Sequence, residues 1–239
     1  MKIAIIIPCY NEAGSIADFI TSLHQIKEQY GLDLTPIVIN DCSTDQTEGI
    51  IQSLDCIVLN LPVNLGIGGA VQTGFRYALQ NGFDWAIQMD GDGQHPATEL
   101  PNIISSLQQS NADVVIGSRF LRRQGFQSTA LRRVGIRWFC WMLRWLTHNR
   151  ITDPTSGFRI LNRRAMQIVD TYYPNEYPEP EILVHFLFAQ LTVREVPVSM
   201  EARKSGESSI HHWKSVYYML KVTSGILFSH FRLKVYGKH

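Results

Sequence analysis

Through the first 118 residues, short apolar runs alternate with helix-length segments, and that alternation restricts the fold more than any other feature of the chain. The run 2–7 is apolar after its first residue, as in a strand buried on both faces. Further strands are expected at 34–39, 56–59, 85–89 and 114–116, with helices at 15–30, 44–53, 68–80 and 97–109 between them. A helix after each strand, with short connections, implies an α/β fold with a mostly parallel sheet flanked by helices. In such sheets ligands sit beyond the carboxyl ends of the strands. Polar residues fall at those ends: Asn11 and Glu12 after the first strand, Asp41 after the second, Asn64 after the third, Asp90 and Asp92 after the fourth, and Arg119 after the fifth.

The second half is less regular. Residues 130–146 place Leu131, Val134, Trp138, Met142 and Trp145 at helical spacing, with Arg133, Arg137 and Arg144 off that stripe. Helices are also expected at 179–190 and 213–231, and a strand at 192–196. Charge is unevenly spread. Between Arg119 and Arg164 there are 11 arginines and one acid, Asp153. Such a block suits an anionic partner (phosphate, lipid headgroup or nucleic acid) or is a solvated basic face. A chain that is 45% hydrophobic and 18% charged is not generally disordered. Cys9, Cys42, Cys56 and Cys140 form no C-x-x-C pair, so they read as reduced thiols, not as a zinc or redox motif.

No apolar stretch reaches the roughly 18 to 20 residues needed to span a bilayer, Lys221 interrupts the terminal helix, and no secretory signal is expected. Trp138, Phe139, Trp141 and Trp145 beside arginines give 130–146 the composition of an interfacial helix, the alternative being a core helix with a basic outer face. The terminal helix could serve the core, a membrane contact or an oligomer interface.

Four segments carry chemistry. In Asp90-Gly91-Asp92-Gly93-Gln94-His95, two carboxylates at a strand end could hold a divalent cation that clamps a diphosphate, or form a polar turn. In Asn40-Asp41-Cys42-Ser43-Thr44-Asp45, Asp41 is expected to face a ribose or base, and Ser43, Thr44 and Asp45 to cap the next helix. The glycines of 64–70 allow close backbone approach to a phosphate or to neighbouring backbone. Asp153 is either an ion-pair partner of the arginines or, for a hydroxyl acceptor, a general base.

Those segments, together with Thr152-Asp153-Pro154-Thr155-Ser156-Gly157-Phe158-Arg159 and Arg203-x-x-Gly206-x-Ser208-Ser209-Ile210, resemble family 2 glycosyltransferases of the GT-A fold. The subgroup is similar to dolichol- or polyprenyl-phosphate sugar synthases and their short bacterial relatives, over nearly the whole chain. The resemblance implies a GT-A nucleotide-diphospho-sugar transferase fold with C-terminal amphipathic helices. It implies that Pro8, Tyr10, Glu12, Asp41, Asn64, Gly68 and Asp90 bind the nucleotide, and that Asp90, Asp92 and Gln94 hold Mg²⁺ or Mn²⁺. Arg203 would grip the donor diphosphate, and Arg119 with Arg132 or Arg133 would meet an acceptor phosphate. Asp153, Asp92 and Arg119 would form the catalytic set. One departure stands out: Cys42 replaces the glycine of the family's usual Asp-Asp-Gly-Ser.

The expected reaction is inverting, metal-dependent transfer from a nucleotide-diphosphate sugar to a polyprenyl phosphate at the cytoplasmic face of the plasma membrane, in cell-envelope assembly. The alternative acceptor is a sugar hydroxyl in polysaccharide assembly. Further rivals are a nucleotidyltransferase, whose lysine-bearing glycine loop is missing, and a non-enzymatic nucleotide-sugar sensor. The expected partners are the donor, a polyprenyl phosphate or glycan acceptor, an anionic membrane surface and a homo-oligomer, with no nucleic acid. The expected organisation is a catalytic domain at 1–210, comprising a nucleotide-binding half (1–118) and an acceptor half (119–210) with its interfacial helix at about 130–147, followed by a terminal helix and tail (211–239).

Overall fold

The computed structural model describes residues 1–91, 96–108, 110–121, 130–199 and 212–236, giving the backbone alone at 108, 130–132 and 212–216. Among them are seven strands: β1 (Ile3–Cys9), β2 (Leu34–Asn40), β3 (Ile57–Asn60), β4 (Trp85–Gln88), β5 (Val114–Ser118), β6 (Arg159–Asn162) and β7 (Val193–Pro197). The helices are α1 (Ile16–Tyr30), α2 (Thr47–Gln52), α3 (Gly66–Gln80), α4 (Leu100–Gln108), α5 (Ala130–Thr147), α6 (Arg163–Thr171), α7 (Pro178–Phe188) and α8 (His212–Tyr236).

The strands form one sheet in the order β3-β2-β1-β4-β6-β5-β7. Neighbours run parallel except at β6, which is antiparallel to both β4 and β5. The carboxyl ends of the other six strands therefore share one edge with the amino end of β6. The turn that leads into β6 enters there, between the ends of β4 and β5.

Every residue of β1 is buried, as its continuous apolar run predicts. Ile3, Ile5, Ile7 and Cys9 face a core shared with α1, α2 and α4. Ala4 and Ile6 face the second core, shared with α3, α5, α6, α7 and α8. Each such isoleucine contributes about 1.5–3 kcal/mol through burial. Helix α3 lies close over β1 and β2 because Gly74 has no side chain: a Cβ there would meet Ile6 Cγ2 at 2.3 Å and Ile39 Cδ1 at 2.8 Å.

The sequence pattern does not predict β6 or α6. Strand β6 is only four residues long and contains Arg159, which breaks the apolar run. Asn162 caps α6 by accepting from Ala165 N at 3.0 Å. Most expected elements have ends shifted by a residue or two; the larger shifts are at α2, which begins at Thr47, α4, which begins at Leu100, and α8, which reaches Tyr236.

Asp113 ties the starts of β5 and β7 to the end of β6. It accepts from Thr192 N at 2.9 Å, Asn162 Nδ2 at 2.7 Å and Arg164 Nη1 at 3.1 Å. Burial disfavours its charge, but these donors outweigh burial and hold its pKa below the usual 3.8. A carboxylate whose folded pKa is depressed adds stability above its unfolded pKa and loses it as pH falls through the folded value. Asp113→Ala should lower stability by about 1–3 kcal/mol at neutral pH, measured as a lower urea midpoint. The gap to the unsubstituted protein should shrink as pH falls below about 4.

Candidate active site

Of the residues singled out at the strand ends, those that are described lie along the shared edge. At its β1–β2 corner, Asn11 takes a left-handed backbone (φ 56°), which asparagine tolerates. Its Oδ1 accepts from Thr44 N at 2.8 Å, and its N–H donates to Ser43 Oγ at 3.1 Å. Asp45 caps α2 by accepting from Thr47 N at 3.0 Å. Ser43 and Thr44 thus fasten the β1 loop, and only Asp45 has the capping role expected of all three. Pro8 is buried within β1, Tyr10 is exposed above it, and Glu12 accepts from Ser15 Oγ at 2.9 Å. Cys42 also sits at positive φ (60°). An L-residue there costs about 1–2 kcal/mol, which gives a physical reason for glycine in the family pattern.

Asp41 is buried, and its carboxylate faces the loop before α3. Oδ1 accepts from Leu65 N at 2.7 Å and Oδ2 from Gly66 N at 2.9 Å, so a negative charge meets the amino end of α3. Each oxygen keeps a second lone pair for a ligand. Asn64 braces the same loop through Asp41 O and Gly66 N. The Gly68 amide is already committed: it donates to Asn175 O at 3.1 Å, and a Cβ on Gly68 would lie 2.2 Å from Pro174 O. Its lack of a side chain admits neighbouring backbone, the packing alternative to close approach to a phosphate.

Asp90 stands half-buried just past β4. It adjoins the turn into β6, since a Cβ on Gly157 would lie 3.7 Å from Asp90 Oδ2. A carboxylate at this open edge suits a hard divalent cation. Asp92, Gln94 and Arg203 lie outside the described residues, as does the side chain of Arg132.

Arg119 and Asp153 form a buried, forked ion pair at the same edge. Arg119 Nε donates to Asp153 Oδ2 and Nη2 to Oδ1, both at 2.7 Å, and the Arg119 amide adds a third bond to Oδ2 at 3.1 Å. Thr155 Oγ1 donates to Oδ1 at 3.2 Å. Asp153 is 0% exposed and Arg119 is 8% exposed. Burial alone would lower the Arg119 pKa, but the Asp153 carboxylate more than compensates and raises it. Nη1 of Arg119 makes no hydrogen bond to a described residue.

Three residues that the sequence reading did not single out belong to this edge. Arg159 is 1% exposed and braces the turn from inside, donating from Nε to Ser156 O at 2.9 Å and from Nη2 to Pro154 O at 2.7 Å. Burial lowers its pKa. Glu179, on the first turn of α7, is close enough to Arg119, Arg159 and Tyr173 to perturb all three. Glu195, on β7, accepts from the amides of Thr152 and Asp153. Only tertiary packing brings the three to the edge, although Glu195, a single acid within an otherwise apolar and basic strand, is a weak signal.

On α5 the buried side is Ile136, Phe139, Met142 and Leu143, whereas Val134, Trp138, Trp141 and Trp145 are exposed. Of the stripe read from spacing, Val134, Trp138 and Trp145 therefore face outward and Met142 faces the core, while the side chain of Leu131 lies outside the described residues. Trp138 and Trp141 have ring centroids 5.1 Å apart, and Trp141 and Trp145 are stacked at 6.2 Å. Arg137 and Arg144 are exposed on the same helix, and Arg133 is half-buried. No described helix is long and apolar enough to cross a membrane.

A mostly parallel sheet with its polar groups gathered at one edge is the architecture of an α/β protein that binds its ligand at the strand ends. The chain matches the model of Glycosyl transferase family 2 over residues 4–168, and it belongs to that family. It is a glycosyltransferase acting on nucleotide sugars. A dolichol-phosphate mannosyltransferase of Pyrococcus furiosus is 26% identical over 92% of this chain, which spans 64% of that relative's length. An undecaprenyl-phosphate mannosyltransferase of Micrococcus luteus is 28% identical over 88% of each chain. Among solved structures, glucosyl-3-phosphoglycerate synthase from Mycobacterium tuberculosis, in complex with Mn²⁺, uridine-diphosphate and phosphoglyceric acid, has a TM-score of 0.71 at 18% identity. That likeness covers 96% of this chain and 78% of the other, and it shows the shared fold.

Removing either member of the Arg119–Asp153 pair strands a buried charge. Arg119→Ala and Asp153→Ala should each lower stability by about 3–5 kcal/mol. The double variant should lose clearly less than the sum of the two. Urea midpoints of the four proteins measure this coupling directly, and additive losses would exclude it.

Proposed function

We propose that the protein moves a hexose from a nucleoside-diphosphate sugar to a polyprenyl phosphate at the cytoplasmic face of the plasma membrane, inverting the anomeric centre. The observation that carries this reading is the state of Asp153. Both of its oxygens are engaged by Arg119 and it has no exposed surface, so it is poorly placed to take a proton from a hydroxyl. An acceptor that arrives ionised needs no such base, and phosphate monoesters are largely dianionic at neutral pH. The named activities of the Pyrococcus and Micrococcus relatives support the same acceptor class.

In this reading a phosphate oxygen attacks the anomeric carbon, the bond to the diphosphate breaks, and its electron pair leaves with the nucleoside diphosphate. Pro8, Tyr10, Glu12, Asp41 and Asn64 surround the nucleoside, with Gly68 setting the loop. Asp90, Asp92 and Gln94 would hold Mg²⁺ or Mn²⁺, which would supply positive charge to the diphosphate leaving group. Arg203 grips that diphosphate. Arg119 offers Nη1 to the acceptor phosphate, joined by Arg132 or Arg133, and charge-assisted contacts to phosphate are among the stronger hydrogen bonds. The exposed Trp138–Trp141–Trp145 ladder with Arg137 and Arg144 suits an anionic lipid surface, where tryptophan sits at the headgroup level.

The test is turnover of purified protein with a panel of nucleotide sugars and detergent-dispersed polyprenyl phosphate. A lipid-linked sugar should form, stop in excess chelator and resume with Mg²⁺ or Mn²⁺. Asp90→Ala should raise the metal concentration for half-maximal rate about tenfold or more. Full turnover in chelator would remove the metal, and sugar transfer to a glycan with none to the lipid would remove the acceptor.

The surface assignment has its own check. The protein should co-sediment with vesicles containing anionic lipid and be released by added salt. Trp141→Ala with Trp145→Ala should weaken that binding at least about tenfold. Equal recovery with anionic and zwitterionic vesicles, before and after the substitutions, would rule the surface out.

A further inference from the structure

Glu195 makes a set of contacts that its place in the fold does not require. It lies on β7 beside Ile116 of β5, at the outer edge of the sheet. Its carboxylate reaches over the end of β5 and takes the turn before β6. Oε2 accepts from Thr152 N at 2.8 Å, and Oε1 accepts from Thr152 Oγ1 at 3.0 Å and Asp153 N at 2.8 Å. Thr152 Oγ1 also bonds Ser118 Oγ at 2.8 Å, one residue before Arg119. Glu195 thus grips, within two successive residues, the amide of the aspartate whose side chain fixes Arg119.

The arrangement is costly on its own terms. Glu195 is half-buried and stands near a second carboxylate, Asp153. Burial, with Asp153 adding to it, raises the Glu195 pKa despite three hydrogen bonds that favour the ionised form. A polar neutral side chain could close the sheet edge without placing two acids on one turn. What the carboxylate adds is a pair of acceptor oxygens aimed at consecutive amides. Arg159 clamps the other side of the same turn through Ser156 O and Pro154 O. The turn is therefore held from both faces, and Asp153 has little freedom to follow Arg119 if Arg119 moves.

We infer that Glu195 is a positioning residue for glycosyl transfer: by fixing the Thr152–Asp153 backbone it fixes the Asp153 carboxylate, and through it the orientation in which Arg119 presents Nη1 to the acceptor. Glu195 touches no reacting atom in this role. The inference rests on the assignment of Arg119 to the acceptor side. It also depends on a local property, the order of the Arg119 side chain, that can be read without turnover.

The experiment compares the unsubstituted protein with Glu195→Gln, in which one acceptor oxygen is replaced by an amide that faces a donor. By NMR, the Arg119 Nε–H should exchange with solvent about tenfold faster in Glu195→Gln, while core amides of β1 such as Ile5 and Ile6 keep their rates. Exchange that accelerates everywhere, or not at all at Arg119, overturns the inference whatever the acceptor proves to be. With polyprenyl phosphate as acceptor, its KM should rise about tenfold while the nucleotide-sugar KM stays within about twofold. In an Arg119→Lys background, the same Glu195→Gln change should leave the acceptor KM within about twofold, because the fork it positions is gone. Equal effects in both backgrounds, or equal effects on both substrates, also overturn it. Should Glu195→Gln fail to fold, Thr152→Val removes only the hydroxyl links to Glu195 and Ser118, and should speed Arg119 Nε–H exchange in the same direction by a smaller factor. If polyprenyl phosphate is not a substrate, the exchange result stands and only the acceptor assignment fails.

Discussion

The buried fork between Arg119 and Asp153 is the constraint on which the catalytic edge depends. Desolvating the two charges costs several kcal/mol per ion, and the pair is tolerable only if its geometry is good and its remaining hydrogen-bonding capacity is met. For Asp153 both conditions hold, while Nη1 of Arg119 makes no hydrogen bond to a described residue. Asp153 accepts from the Arg119 side chain twice, from its amide and from Thr155, while its own amide donates to Glu195. The pair also solves a topological problem. Inserting an antiparallel β6 between β4 and β5 leaves a gap where two strand ends would otherwise adjoin. The fork joins the end of β5 to the start of the β6 turn and closes that gap, leaving Asp90 and Gly157 beside each other at its margin.

The rest of the edge follows the same logic of committed polar groups. Asp41 is engaged by the loop before α3, Asn11 by the β2 loop, and Arg159 by two carbonyls of the turn. Side chains held in this way need little rearrangement when a ligand arrives, so binding energy is not spent on ordering them. On the outer side, α5 joins this rigid edge to a face of exposed tryptophans and arginines. Helix α5 is anchored inward by Phe139, Met142 and Leu143 and bonded to α8 through Trp138 Nε1 and Thr223 Oγ1 at 3.1 Å.

Much of this was legible in the sequence, for identifiable reasons. A parallel α/β pattern fixes which end of each strand carries function, so Asp41, Asp90 and Arg119 could be placed on one edge from spacing alone. Asp153 could be read only as one of two alternatives, because charge composition does not reveal which arginine it meets. The contacts that resolve it, from Arg119 and Glu195, are tertiary. Helical spacing found a stripe on α5 but not which side of the helix faces the core, since tryptophan suits either environment. The glycine-rich loop raised the prospect of a phosphate cradle. The close backbone at Pro174 and Asn175, far along the chain, is what gives Gly68 its packing role. Strand β6 escaped because a buried arginine bonded to two carbonyls looks, in sequence, like a charged loop.

If the fork holds Arg119 for an anion and leaves no free base on Asp153, the acceptor must bring its own negative charge. The most direct measurement is the rate of sugar transfer to a polyprenyl phosphate compared with the matched polyprenol, using the same nucleotide sugar, detergent and metal. Transfer should occur to the phosphate and fall by roughly 10⁴-fold with the alcohol, the scale expected when a site built around a polar group meets an analogue lacking it. Comparable transfer to the alcohol would contradict the account, because it would require a base that Asp153, as placed here, cannot supply.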